Sequence, residues 1–163
     1  MVLDLIIDDR FEPKADKLKE ISPNVEAAKF RGVYLVFRDC LIKEIRQKSG
    51  KPVRVKIPNV IPFLTLKSFA YADPDNGTAK DAFDIWYTVV NYESGPDSVK
   101  GELVKYKDNP DVRDAFRAIE GFFKAESSKG TRDVTRILTT RYGLSTSLAN
   151  KEILAPFLRL SEL

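Results

Sequence analysis

The apolar positions fall into two regimes along the chain. In residues 2–8 they alternate, with Leu3, Leu5 and Ile7 on one face and Asp4, Ile6 and Asp8 on the other, which predicts a short strand. Residues 12–21 are polar and helix-compatible, with Pro13 near the start. The apolar run 33–37, between Gly32 and Asp39, predicts a buried strand. Residues 41–47 and 53–57 flank Lys48-Ser49-Gly50-Lys51 and predict a hairpin, with Val53, Val55 and Ile57 facing in and Arg54 and Lys56 facing out.

After Pro58 the period becomes helical. Residues 59–72 form a strongly apolar helix pattern, 72–78 a loop, and 81–92 a second apolar helix ended by Ser94-Gly95-Pro96. Further helices are predicted over 97–107, 111–124, 132–142 and 145–160, with breaks at Asn109-Pro110, Lys129-Gly130-Thr131 and Gly143. The fold class is therefore α+β: a β-rich part over 1–57 and a helical subdomain over 58–163. The change of period marks the boundary, although one core can cross it.

Composition narrows the chemistry. The chain has 163 residues, 43% of them hydrophobic and 31% charged, as in an ordinary globular protein. No apolar run approaches the length of a membrane span. A lone cysteine, Cys40, excludes an internal disulfide and suits a reducing cytoplasm. The opening residues are too short and acidic a stretch for a secretory signal. There is no histidine, which excludes imidazole-based triads and histidine-ligated zinc. The net charge of +3, from 27 basic and 24 acidic residues, permits contact with a nucleotide or RNA without arguing for it. No glycine-rich phosphate loop, nucleophile elbow or zinc spacing is present.

The candidate functional residues are charges that interrupt apolar stripes. On the helix after Pro58, Val60, Phe63, Leu64, Ala70 and Tyr71 share a side with Lys67. Such a lysine either snorkels or pairs with a structural carboxylate, or it reaches a cleft and meets a phosphate. Asp81 and Asp84 project from one side of the next helix, three residues apart. A carboxylate at Asp81 also suits the positive end of a helix. An ion pair from Lys67 to Asp84 accounts for both charges without catalysis. Asp4 and Asp8 lie about 13 Å apart along a strand and do not chelate one ion together.

The stretch 53–92, VRVKIPNVIPFLTLKSFAYADPDNGTAKDAFDIWYTVVNY, resembles a segment of the AbiEii-type nucleotidyltransferase-like proteins of abortive infection. In that family a strand leads into a helix carrying a lysine, then a short loop, then a helix opening with Lys-Asp and a second Asp three residues on. Lys67, Lys80, Asp81 and Asp84 stand at these positions, and the similarity extends into the helical tail. The opening MVLDLIID looks like the strand bearing the fold's third carboxylate, which would be Asp4. The resemblance implies a partial nucleotidyltransferase-like sheet followed by a helical bundle. It also implies transfer of a nucleotide from an NTP to an acceptor, in related toxins often RNA, with magnesium as cofactor. Asp4 would then be catalytic and metal-binding, and Lys67, Lys80, Asp81 and Asp84 substrate-binding. The family's Gly-Ser/Asp-x-Asp element, whose carboxylates hold the metal ions, does not occur in this chain. The enzyme is thus expected to be incomplete or inactive, and the competing reading is a non-catalytic interaction module or antitoxin-like partner. A sheet without its first strands leaves an edge uncovered. That predicts a homodimer or a partner chain, with Leu3, Leu5, Ile7 and residues 33–37 at the contact unless the tail from Ile153 to Leu160 covers them.

Overall fold

The computed structural model describes residues 6–8, 18–22, 25–46 and 50–160. Three strands, β1 (Ile6–Asp8), β2 (Leu18–Ser22) and β3 (Val25–Phe30), form one sheet. Its order is β1-β3-β2, with β1 parallel and β2 antiparallel to β3, so this sheet is mixed. β2 falls where the polar pattern suggested helix. Pairing of Leu18, Lys19 and Glu20 with Ala28, Ala27 and Glu26 outweighs the local preference.

The run after Gly32 is a helix, α1 (Val33–Arg38), and not the expected strand. Two contacts explain the difference. Gly32 takes φ +78, turning the chain sharply out of β3, and a Cβ there would stand 3.3 Å from Phe69 and Thr65. The buried Asp8 carboxylate accepts the Tyr34 amide at 3.0 Å, placing a negative charge against the first turn of α1. Val33 and Leu35 face inward, and Leu35 belongs to the main core cluster. A short apolar run has no period that separates a buried strand from a buried helix.

The hairpin forms as expected: β4 (Cys40–Ile45) pairs antiparallel with β5 (Val53–Pro58). Its facing does not. Directly opposed residues share a face, so Leu41 and Ile57, Lys43 and Val55, and Ile45 and Val53 lie together. Leu41 is 46% exposed, Ile45 51%, Val53 47% and Ile57 42%. Ile42, on the other face, is also exposed. The ribbon thus has solvent on both sides.

The rest of the described chain is helical: α2 (Val60–Ala72), α3 (Ala79–Asn91), α4 (Pro96–Leu103), a 3-10 turn (Val104–Tyr106), α5 (Pro110–Phe122), α6 (Lys129–Tyr142) and α7 (Thr146–Leu160). Start signals are visible in the residues. Asn59 accepts the Val60 amide, while Asn109 accepts those of Asp111 and Val112 with Pro110 in the first turn. Thr78 and Asp81 form a capping box at α3. α2 lies against α3, α5, α4 and α1, which is why it is apolar nearly all round. Its deepest face carries Ile61, Leu64, Thr65 and Ser68, rotated from the expected stripe. Ser68 is small enough to bring α2 close to α5, where its hydroxyl donates to the Ala115 carbonyl at 2.9 Å. α7 packs on α6, α4 and α3. Ile153, Phe157 and Leu160 fill the helical core.

The helical core extends to what precedes Pro58. Arg31 donates from Nε to Asp111 at 2.7 Å and from a terminal nitrogen to Asp114 at 2.6 Å, over the Phe69 ring. Asn109 donates to the Tyr34 hydroxyl, and the Tyr106 hydroxyl meets Asp39.

Candidate functional site

Four of the residues singled out by sequence come together where α2 meets α3. Lys67 lies on the third turn of α2, at the margin of its buried face and not at its centre. Its ammonium donates to Asp81 Oδ1 at 2.9 Å and stands 2.7 Å from Asp84 Oδ2. Lys80 reaches the same Asp84 oxygen at 2.7 Å along α3. Lys67, Asp81 and Asp84 are 15–22% exposed, whereas Lys80 is 75% exposed. Inter-helix geometry fixes the first three, and Lys80 adds a solvated i,i+4 pair.

Asp81 has a second duty. Its Oδ2 accepts both the amide and the hydroxyl of Thr78, closing the capping box. Burial acts to raise the Asp81 carboxyl. The bonds from Lys67 and Thr78 outweigh it, and the net pKa lies below the usual aspartate value. For Lys67, burial acts to lower the pKa, while contacts with Asp84 and Asp81 outweigh it and raise the ammonium above the ordinary lysine value. The lysine is therefore held charged.

This arrangement limits the chemistry. Two lysines and two aspartates give a neutral cluster. Lys67 must leave both carboxylates before it can meet a phosphate, which exposes two anions to the incoming ligand. The same lysine occupies the oxygens that a magnesium ion would need, and a pair of carboxylates neutralised in this way does not fit that ion. Among the described residues, no group of three or more His, Cys, Asp or Glu side chains is placed to hold a metal. Asp4 lies outside the described residues, as do Leu3 and Leu5. The nearby Asp8 is inside them and caps α1.

The expected contact surface changes as well. Val33 is 5% and Leu35 3% exposed, so neither is free to pair with another chain. Phe37, at 69%, is open, and among the described residues the largest group of open apolar side chains lies on the ribbon that follows it.

Sequence reasoning passed over Arg31 and its two aspartates. Their separation along the chain, 80 and 83 residues, leaves no local signal. Tyr71 is another such case. Its buried ring meets Phe122 edge-on at 4.7 Å, and its hydroxyl donates to Asp133 at 2.7 Å. Burial and then Asp133 push its pKa well above that of an ordinary tyrosine.

No helix among the described residues is long and apolar enough to cross a membrane. Comparison with protein-family models, with curated proteins and with solved structures gave no match.

Proposed function

We propose that this chain is a non-catalytic interaction module that docks a second protein chain on its β4–β5 ribbon. One observation carries the reading: the opposed pairs Leu41–Ile57 and Ile45–Val53 set four large apolar side chains on one face of a two-stranded ribbon, each 42–51% exposed. Apolar clusters of this kind mark association surfaces. A two-stranded ribbon is also marginal by itself and gains stability from a covered face. The simplest occupant is a second copy of the chain. Lys43 on that face, with Arg54 and Lys56 against Glu44 on the other, leaves the ribbon a small basic excess that an acidic partner would also meet.

Light scattering across a concentration series tests the reading, with Leu41→Lys/Ile57→Lys as the comparison. Both positions are exposed, so the variant keeps its helical core. The expected result is self-association, or capture of an added acidic partner, that the double variant abolishes. A wild-type protein that stays monomeric at every concentration, and a partner complex indifferent to the double variant, would sink the idea.

A second reading rests on the convergence of Lys67, Lys80, Asp81 and Asp84, the residues of the AbiEii-type resemblance, at one place. That convergence places the four residues together, although a phosphate could meet Lys67 only after the lysine left both carboxylates. Incubation with labelled NTP, magnesium and total RNA distinguishes the readings. The neutral cluster predicts unlabelled RNA. Transfer abolished by Asp84→Asn would establish the nucleotidyltransferase.

A further inference from the structure

The helical part holds a cavity of about 610 Å³ between the end of α4, one face of α5 and the last turn of α7. It shares no residue with the Lys67 cluster. We infer that it is a binding site for a small anionic amphiphile: a single alkyl chain ending in a carboxylate or a similar acid.

The volume lies within the range of small-molecule sites. Its floor is apolar and built from the core: Val112 and Ile119 are 1% exposed and Phe157 and Leu160 are 6% and 8%. Leu103 and Val104 form one wall, with Val104 57% exposed at the mouth. An alkyl chain laid along this floor loses contact with water on its protein side.

The charges around it are one-sided. Lys107, Arg113 and Arg117 line the cavity against a single acid, Glu120. Arg113 and Arg117 are one turn apart on α5, beside the Val112–Phe116–Ile119 stripe. Among the described residues neither arginine, nor Lys107, forms an ion pair. Asp114, next to Arg113 and three residues before Arg117, forms its ion pair with Arg31 and acts on these two arginines only at longer range. An apolar trough with unpaired guanidinium groups beside it matches a ligand whose ends differ in the same way, and a guanidinium presents two parallel donors to a carboxylate. A neutral hydrocarbon leaves the arginines unused. A cationic amphiphile places like charges together.

Calorimetric titration with dodecanoate, and with dodecyltrimethylammonium as the control of equal chain length, tests the inference below micelle-forming concentrations. The wild-type protein should bind dodecanoate at one site, with affinity about tenfold or more above that for the cation. Arg113→Gln/Arg117→Gln should remove that preference while its thermal midpoint stays at the wild-type value, since neither arginine supports the core. Val104→Trp, at the open mouth, should weaken both amphiphiles. Equal affinity for the two amphiphiles overturns the proposal, as does a preference that survives loss of both arginines. Absence of one-site binding, as expected if another part of the chain or a second copy fills the trough, overturns it too.

Discussion

Lys67 shows how a charge beside an apolar stripe can be held by structure. Its stem lies on α2 while its charge is shared between two carboxylates of α3. Replacement by Met keeps the packed stem and loses the charge, whereas Ala loses both. Lys67→Met should lower stability by about 1 kcal/mol, a figure for a partly exposed pair. Lys67→Ala should cost about 1 kcal/mol more through lost packing, with thermal melts giving the order. Asp81 provides the pH dependence. Its folded pKa is below its unfolded value, so its stabilisation is complete above the unfolded pKa, near 4, and is lost as pH falls through the folded pKa. Asp81→Asn should therefore flatten the loss of stability below pH 4. A variant that loses stability as steeply as wild type in that range would deny Asp81 this role.

At the scale of elements, the loop between α2 and α3 sets the angle at which the two aspartates meet Lys67. Gly77 is packed so closely that an added Cβ would come within 2.4 Å of the Tyr71 carbonyl oxygen and 2.7 Å of that of Asp73. Both obstacles are backbone, so neither can rotate away. Gly77→Ala should cost about 1–3 kcal/mol, typical of an overpacked site, and should be visible as a lower urea midpoint. If the midpoint is unchanged, the loop relaxes freely and does not fix the junction. The same paragraph of chain shows what local signals convey. The capping box of Thr78 and Asp81 and the cap at Asn109 use contacts within three residues, and helices there begin close to where the pattern put them. α1 depends on Asp8, distant in sequence, and β2 on cross-strand pairing with the strand that follows it, which the residues of β2 do not signal by themselves; both departed from expectation.

Across the whole molecule, the change of period at Pro58 is not a break in packing. Leu35 shares the core of the helices, and Arg31 joins the end of β3 to α5. Arg31→Met should lower the thermal midpoint and leave one transition. The fluorescence of Trp86, whose indole donates to Glu152 of α7, should then coincide with loss of far-ultraviolet circular dichroism. Two separated transitions in the wild-type protein would show instead that the parts unfold independently.

The residues by themselves determined the α+β class, the six helices after Pro58, the β4–β5 pairing and the attraction between Lys67 and the aspartates of α3. Each rests on a period, a cap or a charge placed against an apolar background, all readable within a few turns of chain. Tertiary structure decided that residues 33–38 are helical, that α2 buries Thr65 and Ser68 more deeply than Phe63, and that the ribbon's apolar face stays open. It also decided that Arg113 and Arg117 border an apolar cavity. A pattern states which side of an element avoids water. Which neighbour covers that side, or leaves it uncovered, depends on surfaces brought together from distant parts of the chain.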